Sequence, residues 1–334
     1  MTRRLAVVLV HGVEINDKHF GDTAIARLKH TFQRATGVDA DDALVVEPAF
    51  WAPVIQPYED NLFRRVLGSP DGGYFRWLNS QGTRADRGSA TAVLLAAASG
   101  LLRWVPGAAK LDFPTLRWLT VQYIGDAIAY QITSGDRTIY DQVHLVLART
   151  LRELARRAGA DAPLCVLAHS LGSVIATNYL YDLQVEAGRK DGRKDVRRIS
   201  DRVRKTSQKT PLERGETLSF LYTLGSPIAL WALRYRNFGR PVHVPPPQLA
   251  DHHPELRGRS EWINFYHKDD LVSSPLKPLN DEYAEHVSED REVSVGPPWL
   301  SWTPLSHPWY WNDRRVIDPV GKTLANAWRT LNHH

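Results

Sequence analysis

The sequence predicts an α/β protein with a mostly parallel central sheet and helices on both faces. Three observations carry that expectation. The first is the stretch Pro163–Ala176, where a continuous apolar run, a turn of small residues around Ser170 and a helix start follow one another. The second is a set of further short apolar runs, Leu5–Val10, Ala43–Val46, Leu218–Leu224 and Trp262–Tyr266. Runs of that length, apolar throughout rather than alternating, suit strands covered on both faces. The third is the helical periodicity of the stretches between them, which gives the strand–helix–strand order that a right-handed parallel sheet requires.

Composition sets the outer limits. At 334 residues, 43% hydrophobic and 24% charged, the chain has the make-up of a soluble globular protein and is read as one domain over residues 1–334. Its single cysteine, Cys165, falls inside an expected strand, so no intrachain disulfide is available. That points to a reducing compartment, and a cytoplasmic location is expected. Met1–Arg4 followed by Leu5–Val10 has the outline of a signal peptide. The apolar part is too short, however, and it runs into His11-Gly12 without a small-residue cleavage site, so it reads as a strand. No apolar run is long enough to span a bilayer.

Charge is concentrated in one place. Residues 188–217 hold eleven Lys/Arg against five acids, a net +6 set beside +5 for the whole chain. A basic run of this kind reads first as a solvated surface loop, with contact to an anionic membrane surface as the second reading. No aromatic residue is interleaved, which argues against single-stranded nucleic acid, and no nucleic-acid partner is expected.

In chain order, strand Leu5–Val10 is followed by an amphipathic helix over Asp22–Thr36, with Ala24, Ile25, Leu28 and Phe32 inward and Gly37 at its end. The next strand is Ala43–Val46. Ser170 then lies 159 residues after His11, far more than a bare sheet needs. The surplus, residues 51–137, is expected to be a mostly helical cap or lid. It includes a helix around Tyr58–Leu67, a loop over Leu78–Ser89 and apolar stretches at Ala90–Val105 and Leu116–Ile132. Trp77, Trp104 and Trp118 either pack this cap onto the core or face a substrate. Thr138–Ala158 reads as a long amphipathic helix ended by Gly159. The run Val174–Leu183 reads as the helix after the turn, Pro241–Pro254 as loop, and Val320–Leu331 as a closing helix.

The turn itself is Ala168-His169-Ser170-Leu171-Gly172, small-x-Ser-x-Gly with alanine in the first place. Small residues two before and two after the serine let strand and helix backbones nearly touch. Such a turn lifts the Ser170 hydroxyl above the sheet and leaves the Leu171 amide at a helix N-terminus, aimed where an oxyanion would form. The competing reading is an ordinary helix N-cap serine. The strand–turn–helix context favours the nucleophile.

At this point the chain resembles the α/β-hydrolase superfamily, specifically its bacterial lipase and serine-esterase-like members. The resemblance runs through Leu5–Leu331 apart from the cap and the basic loop. It implies that the backbone amide of Val13, after the strand ending in His11-Gly12, is the second oxyanion donor, with His11 structural. Strand Leu218–Leu224 ends in Gly225-Ser226-Pro227, frequent in such hydrolases, and Ser226 is given no catalytic role. The triad acid is expected after the following strand, where Asp269 and Asp270 both stand. Asp270-Leu271-Val272 is closer to the family pattern, so Asp270 is the expected acid and Asp269 the reserve. Chain order in the family puts the histidine last. Ser306-His307-Pro308-Trp309-Tyr310-Trp311 resembles its late Ser-His-x-x-Tyr-Trp pattern, so His307 is expected and His286 is read as solvated. Trp299, Trp302, Trp309, Tyr310 and Trp311 bracket His307 and either wall an apolar pocket or anchor a loop.

The resemblance implies a serine hydrolase of carboxylic (thio)esters, esterase- or lipase-like, acting through an acyl-enzyme on a small acyl ester or lipid. No metal or other cofactor is expected, since His243, His252 and His253 lack ligand spacing and no glycine-rich phosphate cradle is present. The alternative is a catalytically idle copy of the fold that binds lipid or protein.

Overall fold

A computed structural model describes residues 2–13, 17–62, 65, 124–132, 136–187, 199–206, 209–297 and 304–332. They fall into two compact units. The first comprises Met1–Gly12, His19–Phe50 and Asp141–His334; the second comprises Val13–Lys18 and Trp51–Tyr140.

The first unit is built on a six-stranded sheet, parallel throughout: β1 Leu5–Val10, β2 Leu44–Ala49, β3 Leu164–His169, β4 Leu218–Leu224, β5 Glu261–Tyr266 and β6 Glu289–Glu292. The strand order is β2-β1-β3-β4-β5-β6. Val7 stands between Val46 and Cys165, and Tyr222 pairs with Leu167 on one side and Ile263 on the other. The central strands β1, β3 and β4 are buried over their whole length, which is why they read as unbroken apolar runs.

Helices cover both faces, and β1 shows how. Leu5, Val7 and Leu9 point into a cluster with Leu28 and Phe32 of α1 (Asp22–Thr36) and with Val316, Val320, Leu324 and Trp328 of the closing helix, Arg314–Asn332. Val8 and Val10 point the other way. With Val166 they meet Leu147 and Leu151 of α2 (Thr138–Ala158) and Ala176, Tyr179 and Leu180 of α3 (Leu171–Ala187) around a small apolar cavity. Alternation along one strand thus feeds two separate helical layers.

The sheet grows from β1 to β2 in one direction and from β3 to β4 in the other. The carboxyl ends of β1 and β3 therefore flank the point where the order reverses, the crevice where α/β sheets hold ligands. His11-Gly12 follows one of these ends and Ser170 the other.

Several elements depart from expectation for identifiable reasons. β6, Glu-Asp-Arg-Glu, is wholly polar and has no counterpart in the sequence reading. An edge strand has no need of an apolar run, because one side of it meets water. Pro241–Pro254 is not all loop: Leu249–His252 forms a helical turn that buries Leu249, and Pro254–Leu256 a 3-10 turn that buries Leu256. The closing helix starts at Arg314 rather than Val320, ahead of Pro319. Asp313 caps it through Arg315 N–H at 2.8 Å. Within 188–217, Asp201–Thr206 is helical with Val203 buried, and Leu212 and Glu213 are buried in the turns that follow.

In the second unit, helix Ala52–Leu62 begins earlier than the expected Tyr58–Leu67, and residue 67 lies outside the described residues. A further helix covers 124–130, and the rings of Tyr130 and Tyr140 stack at 5.1 Å. Most of the expected cap over 51–137, including Trp77, Trp104 and Trp118, lies outside the described residues. So do Trp299, Trp302 and residues 188–198 of the basic stretch. Among the described residues no helix is long and apolar enough to cross a membrane.

Candidate active site

β3 ends at His169, and the chain then turns through Ser170 into α3 with no intervening loop. Ser170 adopts φ +51°, a left-handed conformation uncommon in a residue with a side chain. Ser170 N–H bonds to Leu224 O of β4 at 2.9 Å, so the turn is fixed to the sheet. Two glycines let the elements close on it. A Cβ at Gly172 would sit 2.1 Å from the carbonyl oxygen of His11, and one at Gly12 would sit 2.6 Å from Ser170 Cβ. Ser173, one turn into the helix, donates its hydroxyl to Ser170 O at 2.6 Å and meets Ser226 Oγ at 2.6 Å. Leu171 opens α3, where first-turn amides have no partner within the helix and carry the positive end of its dipole.

Asp270 is held in a loop directly after β5. Its N–H bonds to His267 O, and its Oδ1 accepts Val272 N–H at 3.1 Å. Its other oxygen, Oδ2, faces His307. Asp269 instead turns toward His267, 3.9 Å away, and is part-exposed.

His307 lies in the 3-10 segment Pro304–Asn312. Its Nδ1 is 2.7 Å from Asp270 Oδ2 and its Nε2 is 2.8 Å from Ser170 Oγ. A carboxylate only accepts, so Nδ1 carries the proton and Nε2 is left as the acceptor for the serine hydroxyl. Serine, imidazole and carboxylate therefore form one continuous line, and all three residues are buried. Burial alone would raise the carboxyl pKa. The charge of His307 and the bonds from His307, Val272 and Tyr310 outweigh it, holding Asp270 down to about 2. His286 stands elsewhere, at the end of helix Asp281–His286, half-buried and stacked on His243 at 4.2 Å. Val13, expected to give a second amide, belongs to the second unit.

Two residues here make bonds that the sequence does not disclose. His169 Nε2 lies 3.0 Å from His307 O, so it must donate, and its ring centroid is 4.8 Å from that of His307. Tyr310 donates its hydroxyl to Asp270 Oδ2 at 3.1 Å. Of the late aromatics, Tyr310 and Trp311 belong to the core cluster, as a loop anchor does. The available signal was position alone: His169 is the residue before the serine, and Tyr310 lies three after His307.

Buried histidines make stability depend on pH. Burial lowers His11 to about 3; burial and the neighbouring His307 do the same to His169. In the unfolded chain both titrate near 6.5. The unfolded state therefore binds more protons between those values, and stability, complete above about pH 6.5, falls as pH drops toward 3. Each pH unit in that window costs about 1.4 kcal/mol per imidazole. Between pH 7.5 and 5.5 the urea midpoint is expected to drop, and to drop less in His169→Asn. Asp270 does not contribute there, because its own window opens only below about pH 4. A midpoint equal at the two pH values would contradict the buried neutral imidazoles.

Comparison with protein-family models, curated proteins and solved structures returns no match for this chain.

Proposed function

We propose that the protein is a serine hydrolase of carboxylic (thio)esters, an α/β-hydrolase of the bacterial lipase and esterase type. The observation that carries this reading is the unbroken Ser170–His307–Asp270 line, standing on a left-handed turn at the reversal point of a parallel sheet. A serine hydroxyl is a poor nucleophile until a base takes its proton, and a neutral imidazole held by a carboxylate is that base.

In the proposed reaction His307 Nε2 removes the Ser170 proton as Oγ attacks the ester carbonyl. Asp270 steadies the imidazolium that forms. The Leu171 amide, at the positive end of α3, holds the developing oxyanion. His307 then protonates the leaving alcohol, or thiol, and the acyl group stays on Ser170. Water, deprotonated by His307, attacks the acyl-enzyme; the acyl–Oγ bond breaks as His307 returns the proton to Ser170 Oγ, and the acid is freed. Acyl esters or lipids are the proposed substrates.

A fluorophosphonate probe tests the reading directly. It is expected to inactivate the protein stoichiometrically and to leave one phosphonylated peptide, containing Ser170. Protein that stays unlabelled, or is labelled elsewhere, would reject the reading and favour an idle fold. An ester panel graded by acyl chain length then defines the substrate.

A further inference from the structure

We infer that Tyr310 is a positioning residue for the Ser170–His307–Asp270 line, pinning the carboxylate and moderating its pull on the imidazole. The inference rests on the serine-hydrolase reading above. Asp270 Oδ2 receives two donors, His307 Nδ1–H at 2.7 Å and the Tyr310 hydroxyl at 3.1 Å, while Val272 N–H holds Oδ1. Among the described residues no other side chain donates to Oδ2. The phenol is fully buried, its ring lies against Gly225, and Ser273 Oγ is 3.4 Å from its oxygen.

Tyr310 sits in the same 3-10 segment as His307. Its bond therefore ties the histidine segment to the acid loop without passing through the imidazole. Two consequences follow. The carboxylate keeps its plane when His307 takes the serine proton and shifts. The phenol also draws negative charge from Oδ2, so the anion stabilises an imidazolium less than it would without that donor. The other titratable groups near the pair are His169, whose ring faces His307, then His267 and Asp269 in the acid loop, and His11, which acts on His169. None of them replaces the phenol.

Tyr310→Phe removes the hydroxyl and keeps the ring. The expected result is a kcat for a soluble p-nitrophenyl ester lower by about tenfold, with KM changed by less than about twofold. The acid limb of the kcat/KM–pH profile is expected to move up by about half a pH unit, because the barer carboxylate holds the imidazolium more tightly. The NMR titration of the His307 ring in a Ser170→Ala background, which needs no turnover, is expected to move the same way. Should Tyr310→Phe fail to fold, 3-fluorotyrosine at position 310 donates more strongly and is expected to move the titration downward. A His307 titration unchanged by the variant would overturn the inference. A shifted titration in a protein without Ser170-dependent turnover would uphold Tyr310's role and reject the hydrolase reading, so the two fail separately.

Discussion

Ser170→Ala is expected to lower kcat toward a short p-nitrophenyl ester by about 10⁶-fold, the scale seen when the nucleophile of such a unit is removed. The structure makes this a clean experiment. Among the described contacts the Ser170 side-chain oxygen bonds to His307 Nε2 alone, so the variant loses one hydrogen bond and no packing volume of consequence. The bonds that shape the turn come from backbone atoms and from Ser173, and they survive the change. Thermal unfolding is therefore expected to move by only a few degrees. His307→Ala should cost about as much, and the double variant little more than either single one, because the groups act as one unit and their losses do not add. Additive losses would mean that Ser170 and His307 serve separate purposes. Turnover near the wild-type rate in Ser170→Ala would remove Ser170 as nucleophile.

Which parts of this arrangement could be read from the chain depends on what each residue faces. Strands β1, β3 and β4 are buried on both sides, so their sequences are apolar without interruption and their limits stand out. β6 lies at the edge, and its charged residues look like loop. Asp290 nonetheless has a structural task, accepting Leu276 N–H at 2.8 Å and Asn264 Nδ2 at 2.7 Å, a pairing that only three-dimensional proximity reveals. The closing helix expected over Val320–Leu331 begins just after Pro319, a residue type that ordinarily interrupts a helix. In the fold, the five residues ahead of it are already helical, begun by the Asp313 cap.

The candidate site divides the same way. Ser170 was legible because its turn demands small neighbours in a fixed local pattern. Asp270 and His307 were legible only through resemblance and chain order, since each sits at the end of a different element. His169 and Tyr310 act through one atom each, a ring nitrogen and a phenol oxygen, on partners 138 and 40 residues away. No local pattern encodes such contacts.

The turn also dictates the second large effect, which lies in stability rather than chemistry. Gly172→Ala is expected to destabilise the first unit by about 3 kcal/mol or more. The added Cβ would lie 2.1 Å from the carbonyl oxygen of His11 and 2.6 Å from that of Val10. Both are backbone atoms at the end of β1, a strand paired on both sides, so neither can swing aside as a side-chain tip would. Relief has to come from moving α3 away from the sheet, and that carries Ser170 and the Leu171 amide with it. The variant is thus expected to unfold at a temperature lower by about 10 °C and, in the fraction that folds, to hydrolyse esters poorly. Gly258→Ala is the matched control, because a Cβ there meets nothing within 4 Å. Its melting temperature and activity should equal those of the wild type. If Gly172→Ala behaved like Gly258→Ala, α3 would not press on β1 as closely as the geometry requires, and the tight turn that raises Ser170 toward His307 would lose its physical basis.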